Sequence, residues 1–314
     1  MGSNLASFIV MDLRQLNLLL AVAEHHSFSG AARALHTVQS NVSTHVARLE
    51  HELKTVLIDR RTMAPTAEGE AVIERAQRIR SELRAITDDI SSMKNEVAGS
   101  VNIGCIGTVA RWIANPLLNQ LNNEYPALRP IITDDVTSSL LPKLITGELD
   151  IAIVNSPISS SGIDTLPLFE EEYVIIASKN HPLSKKNAIK LQDLSDLEIM
   201  LTPPGTAIRD NIDQEAAAAG ISLLPIAEIT GLRLLASLAI EGEIPALLPA
   251  SAASGHPKGD WIVVPVEGLS KRKVDLAFNH RMTPSTPVRL TIEVLTQIVS
   301  ENAPNQPGIR VTLD

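Results

Sequence analysis

AVAEHHSFSGAARALHTVQSNVSTHVARLEHEL, residues 21–53, decides how the chain begins to fold. Its last fifteen residues place Val42, Val46, Leu49 and Leu53 at i, i+4, i+7 and i+11, one apolar stripe of a helix over 39–53. The other side of that helix carries Gln39, Ser40, Asn41, Ser43, Thr44 and Arg48. Ahead of it, His36-Thr37-Val38 reads as a tight turn. Before the turn lies a short helix, SGAARAL, which Ser29 can cap and whose Ala31, Ala32 and Leu35 permit close packing. A further helix over 12–24 is marked by Leu13, Leu16, Leu19, Leu20 and Ala23, and His25-His26-Ser27 ends it.

Two short helices joined by a three-residue turn, the second polar on its outer face, have the layout of a helix-turn-helix. Short or planar hydrogen-bonding side chains suit base edges, where donors and acceptors must match at close range. Periodicity alone is served equally by a three-helix bundle with a solvated face.

The order of the motifs goes further. MDLRQL at 11–16, AVAEHHSFSGAARALH at 21–36, the Gln39/Ser43/Val46/Leu49-Glu50 spacing, and LIDR followed by APTAEGE within 57–70 together resemble the N-terminus of LysR-type transcriptional regulators. The resemblance implies a winged helix-turn-helix over 11–66 that binds double-stranded promoter DNA. The implied DNA-binding set is Arg33, Thr37, Gln39, Ser40, Ser43, Thr44, Arg48, Arg60, Arg61 and Thr66. Val38 stands where the family usually has Ser, Ser40 where Pro is frequent, Thr44 where a basic residue is common, and Lys54 where Gly is usual. Loss of one basic contact on a recognition helix flattens the salt dependence of binding by roughly one phosphate.

From residue 67 to 98 a single helix is expected, with Thr66 as N-cap and Gly99 as stop. Its apolar positions Val72, Ala76, Ile79, Leu83, Ile86, Ile90 and Met93 alternate steps of four and three, the repeat of a coiled-coil seam. A narrow seam on an isolated helix needs a partner; the alternative is that it packs on the chain's own domains. The resemblance makes it the dimerisation element of a homodimer or homotetramer.

Beyond residue 99 strands and helices alternate, which predicts a parallel α/β arrangement. VNIGCIG at 101–107, PIITDDV at 130–136 and the GELDIAI run at 147–153 read as strands of one lobe, 99–161 with 267–300. SSSGID at 159–164 reads as the hinge into a second lobe, 162–266, and residues 301–314 as a mobile tail. YPALRP, GELDIAI and ALLP resemble the effector domain of the same family, which shares the periplasmic-binding-protein architecture. EGEIP at 241–245 departs from the Gly-rich form usual there. The fold class expected is therefore α+β multidomain: winged helix-turn-helix, long linker helix and two-lobed α/β effector domain.

A cleft between lobes is lined by loops at strand ends. Those loops make Gly107, Thr108, Thr137, Ser138, Thr202, Gly205, Thr206, Arg209 and Thr230 the candidate effector-binding residues, with Arg111 near them. Hydroxyls and helix-start amides suit oxyanions, so an organic anion is a candidate effector.

Charge bounds the alternatives. The formal net charge is −9, but residues 1–97 hold 11 Lys/Arg against 12 Asp/Glu, so the acidic excess lies in the C-terminal two-thirds. Cys105 is the one cysteine, which excludes an intramolecular disulfide and fits a cytoplasmic setting. No run of about 18 apolar residues can cross a bilayer. No metal-ligand spacing, nucleophile elbow, P-loop or dinucleotide fingerprint is present, so no cofactor, metal or enzymatic activity is expected. The first ten residues read as an extension. A solute-binding module with an accessory helical bundle, or an enzyme on the two-lobed fold, are the rival readings.

Overall fold

The computed structural model describes residues 11–93, 97–160, 162–256 and 259–313; the expected N-terminal extension and the stretch 94–96 of the expected linker helix lie outside them. The chain divides into two compact units: one runs to Thr87 and also takes Thr146–Glu148, and the other comprises Asp88–Ile145 with the chain from Leu149 onward.

The first unit is built from α1 (Leu13–His25), α2 (Phe28–Ala34), α3 (Gln39–Leu53) and most of α4 (Ala67–Met93). A capping box starts α1: the Asp12 side chain accepts from the Gln15 backbone, and the Gln15 side chain accepts from the Asp12 backbone. Ser27, not Ser29, caps α2, accepting from Gly30 N. The hydroxyl one residue before the helix reaches that amide, whereas Ser29 already lies within the first turn. Leu19, Val22, Ala31, Val42, Val46 and Leu49 interlock as the core of the unit. Lys54 takes the left-handed conformation that ends α3, at φ +55. Glycine is the ordinary solution at such a position because a Cβ is disfavoured there.

Between α3 and α4 the chain doubles back through an Ile58–Pro65 bridge, forming a small wing. Thr66 accepts from Gly69 N as the cap of α4. At Gly69 a Cβ would collide with the Leu57 carbonyl, so only glycine lets the wing lie this close to α4.

The second unit contains, in chain order, β1 (Gly99–Cys105), α5 (Gly107–Glu124), β2 (Leu128–Asp134), α6 (Thr137–Thr146), β3 (Ile151–Ser156) and β4 (Ile163–Glu171). The chain then enters β5 (Tyr173–Ser178), β6 (Ile189–Lys190), β7 (Met200–Leu201), α7 (Ala207–Ala218), β8 (Ala227–Glu228), α8 (Leu232–Glu241), β9 (Ala246–Pro249) and β10 (Trp261–Glu267). It returns through β11 (Arg272–Asn279), α9 (Thr286–Asn302) and β12 (Ile309–Val311).

Two six-stranded sheets result, β12-β4-β11-β3-β1-β2 and β6-β10-β5-β9-β7-β8. Both are mixed rather than parallel. β1 pairs in parallel with β2 and β3, but β11 runs antiparallel to both β3 and β4. The antiparallel members arise because the strands that carry the chain between lobes approach from the opposite end.

The expected hinge at 159–164 is displaced. β4 belongs to the first sheet, so the chain crosses at Glu172 and returns between Glu267 and Arg272. The sequence SSSGID has turn composition, but it joins two strands of the same sheet. The expected mobile tail is also corrected. Ala303 is fully buried, and β12 pairs antiparallel with β4 at the sheet edge. Pro and Gly made this stretch read as loop, but alternate apolar residues Ile309 and Val311 supply the strand.

The end of α4 within the second unit is anchored: the Asp89 carboxylate accepts from both the amide and the hydroxyl of Thr286 at the start of α9.

Candidate functional site

On α3, Val42, Val46 and Leu49 face inward with no solvent exposure, while Gln39, Ser40, Thr44 and Arg48 are exposed and Ser43 is half-buried. The helix begins at Val38, which has no side-chain oxygen to cap it. Its leading amides therefore remain open to an anion. Thr37 accepts from the Asn41 side chain at 2.9 Å, which holds the turn against the helix.

Glu50 ties the wing to this helix. One carboxylate oxygen accepts from the amides of Leu57 (2.9 Å) and Ile58 (3.2 Å); the other accepts from Arg60 at 2.8 Å. The Arg60 guanidinium also lies over the Phe28 ring, 4.3 Å from its centroid. Arg60 thus has a structural task as well as an exposed position. At the wing tip the Asp59 carboxylate accepts from the amides of Arg61 and Thr62. Those backbone hydrogen bonds hold its pKa below the usual carboxylate range. Arg33 and Arg61 are exposed and form no ion pair among the described residues. Arg48 is exposed and pairs with Glu52 one turn on, at 3.0 Å. The Thr66 hydroxyl is committed internally, donating to the Val56 carbonyl and accepting from Gly69.

A different group of residues meets in the second unit. A cleft of about 520 Å³ opens between the two sheets, within the size range of small-molecule sites. Thr137, Asn155, Ser156 and Pro157 line it from the first sheet's side. Tyr173 and the start of α7, with Ala207, Ile208 and Asn211, line it from the second. Lys271, Arg272 and Lys273, at the return crossing, close its end.

Of the expected effector residues, Thr137 lies on this cleft. Gly107 is the first residue of α5, and Thr108 is buried behind the cleft, where it accepts from Arg272 at 3.3 Å. Thr202 is buried and receives the Thr206 hydroxyl; Thr206 also caps α7. Gly205 donates its amide to Asp210. Ser138 and Thr230 are exposed and are not part of the cleft wall. Arg209 is held by Asp213 (2.8 Å), by Glu228 (2.9 Å) and by the Thr202 carbonyl, so its charge is spent within its own lobe. Arg111 meets His256 at 3.3 Å instead of the cleft.

Sequence reasoning missed Asn155, Tyr173 and the Lys271–Lys273 run because it looked for loops after strands. Asn155 lies near the end of β3, Tyr173 opens β5 just past the first crossing, and Lys271–Lys273 lie at the return crossing, where KRK was the signal available. Arg272 is the centre of the group. Its Nε donates to Asn155 Oδ1 at 2.7 Å and its Nη1 to the fully buried Glu171 at 2.8 Å. Glu171 in turn accepts from the amide and hydroxyl of Ser251.

The two units match two family descriptions. "Bacterial regulatory helix-turn-helix protein, lysR family" covers residues 13–70, and "LysR substrate binding domain" covers residues 94–299. The chain belongs to the LysR family. Among LysR-type relatives, a probable hydrogen peroxide-inducible genes activator of Streptomyces viridosporus is 32% identical over 77% of this chain and 78% of its own length. The DNA-binding transcriptional dual regulator OxyR of Escherichia coli is 26% identical over 92% of this chain and 95% of its own. The solved full-length OxyR of Pseudomonas aeruginosa, a cysteine-substituted form, superposes with a TM-score of 0.73 at 26% identity, covering 92% and 94% of the two chains. The LysR assignment accounts for both the α3 face and the two-lobed unit with its cleft.

Proposed function

We propose that this LysR-type regulator reads promoter DNA through the polar face of α3, in paired copies, and that a small molecule in the interlobe cleft sets its activity in the cytoplasm. The carrying observation is the division of α3: a fully buried Val42/Val46/Leu49 side and an exposed Gln39/Ser40/Thr44/Arg48 side with an uncapped N-terminus. Gln39, Ser40, Ser43 and Thr44 read bases; Arg33, Arg48 and Arg61 meet phosphates. Thr37, Arg60 and Thr66 hold the turn and the wing in place for them.

Pairing is supported by α4, where Ile79, Leu83, Ile86, Ile90 and Met93 stay exposed in one chain. Two heads on one dimer read two half-sites, which multiplies affinity and specificity. A ligand shifts such a regulator by binding one arrangement better than another. Relatives named for hydrogen peroxide do not carry peroxide sensing over to this chain: its one thiol, Cys105, is buried in β1, and burial pushes its pKa up.

The test is binding of the full chain to the DNA upstream of its own gene. Gln39→Ala should weaken specific binding by about 1–3 kcal/mol while non-specific binding stays unchanged. Equal losses on specific and random DNA would remove Gln39 from the base-reading face.

A further inference from the structure

Val38 has no place in the roles assigned so far. Its side chain is 66% exposed, an apolar group beside the exposed Gln39 and Ser40 at the start of α3. Single exposed apolar residues are ordinary on a protein surface. This one occupies the N-cap of α3, where Ser, Thr, Asp or Asn would accept from an orphan amide and Val cannot. The other helices of the same unit are capped by side chains: Asp12 for α1, Ser27 for α2 and Thr66 for α4. Serine is also the residue that LysR-type regulators usually carry at this position. Val38 therefore weakens the start of α3 while most of its side chain stays in water.

The turn holds that side chain in place. The Thr37 amide donates to the Ala32 carbonyl at 2.9 Å, and the Asn41 side chain donates to the Thr37 hydroxyl at 2.9 Å. The Val38 carbonyl accepts from the amides of Asn41 (3.1 Å) and Val42 (3.4 Å). Its backbone is extended, at φ −95 and ψ 147. A β-branched side chain has few rotamers to choose from. Two methyl groups are thus presented from a fixed backbone, with little conformational freedom to lose on contact.

The N-terminal residues of a recognition helix contact base edges. In the major groove those edges carry donors and acceptors, with one apolar group among them: the C5-methyl of thymine, which cytosine lacks. We propose that Val38 packs on a thymine methyl of the operator and makes this chain select T over C at that base pair. This rests on the reading of α3 as the base-reading helix. It adds a specificity residue that acts by apolar contact, where its neighbours act by hydrogen bonding. A serine at the cap would favour the helix; the valine favours the thymine.

The experiment uses the full-length protein and two copies of the DNA upstream of its own gene, one made with thymine and one with uracil, which differ only in the C5-methyl groups. The parent should bind the uracil copy at least about fourfold more weakly, the factor expected from one buried methyl. In Val38→Ser and Val38→Ala that penalty should shrink by about the same factor. Duplexes with single thymines replaced then locate the contact: one position per half-site should lose its penalty in both variants, and the others should keep theirs. Val38→Ser should melt at or above the temperature of the parent, because its hydroxyl supplies the missing cap. Its loss of discrimination is then not a loss of fold.

A methyl penalty that is the same in the parent and both variants overturns the proposal. So does a Val38→Ser protein that melts below the parent, since the valine would then be serving the fold. Promoter against random DNA separates this failure from a failure of the wider reading. If the parent prefers its promoter and the variants keep the methyl penalty, α3 reads bases without Val38. If the parent binds promoter and random DNA alike, the base-reading assignment falls and Val38 falls with it.

Discussion

Glu50 sits between the recognition helix and the wing, and three donors converge on its carboxylate. Two of them are backbone amides whose loss of an acceptor is costly because they are partly buried. Glu50→Ala should lower the stability of the DNA-binding unit by about 1.5–3 kcal/mol in urea melts. Arg60→Ala removes only the half-exposed partner and should cost roughly 1 kcal/mol or less. Equal losses from the two would mean that the amide bonds contribute nothing. Asp59, at the wing tip, gives a pH signature. Hydrogen bonds from Arg61 and Thr62 amides depress its folded pKa. A carboxyl with a folded pKa below its unfolded one adds stability above the unfolded value, and that contribution is lost as pH falls through the folded value. The wing turn should therefore survive acidification to below about pH 4, the ordinary aspartate range. NMR titration of the Asp59 carboxyl carbon checks this: a midpoint at or above the ordinary value would show that the turn does not hold it. Neither Glu50 nor Asp59 could be assigned a role from sequence, because their partners are backbone amides seven and two residues onward.

At the scale of elements, legibility follows the period of the apolar residues. α3 was bounded at 39–53 by the stripe Val42, Val46, Leu49 and Leu53, and its structural bounds are the same. The seam of α4 was equally visible, but its members divide by environment. Ala76 is buried and Val72 half-buried against the helical unit's own core, so the first turns do what an intramolecular seam would do. Ile86 is 60% exposed and Met93 78%, so the later turns have no such cover within the chain. The two readings of the heptad thus apply to different stretches of one helix. On the proposed pairing through α4, Ile86→Asp should shift the chain toward monomer in sedimentation equilibrium, since burying an unpaired carboxylate in a seam costs more than the methyl groups it replaces contribute. Ala76→Asp should instead unfold the helical unit and lower the melting temperature. An oligomer that persists in Ile86→Asp would place the interface elsewhere. The cleft was less legible than either helix. Loop-end reasoning reached Thr137 but selected Arg209, whose neighbours Asp213 and Glu228 lie four and nineteen positions away. Only folding shows that they neutralise it, while Arg272 is held by Glu171 from 101 positions away.

At the scale of the molecule, two chemistries compete to explain how a signal enters. Its relatives are named for hydrogen peroxide, and peroxide oxidises a thiolate that it can reach. This chain offers one thiol, on β1 between β2 and β3, 3% exposed and in register with Asp134 and Ile153. Burial raises its pKa first, and the neighbouring Asp134 charge raises it further, with Arg272 opposing. The thiolate population at neutral pH is then negligible, and within the chain there is no second cysteine to trap a sulfenic acid. The cleft, in contrast, is open and of ligand size, with Lys271, Arg272 and Lys273 at its end. Signal entry by binding therefore outweighs signal entry by oxidation. Exposure of the folded protein to on the order of 1 mM hydrogen peroxide should leave the Cys105-containing peptide without an oxygen adduct and the operator affinity unchanged, whatever sulfoxide forms at exposed methionines such as Met93. Cys105→Ser should bind the operator as the parent does and keep any response to a cleft ligand, because the hydroxyl replaces a thiol whose single weak hydrogen bond goes to the Ile106 carbonyl. An oxygen adduct on Cys105 accompanied by a change in operator affinity, absent from Cys105→Ser, would reverse this ranking and make the buried thiol the sensor.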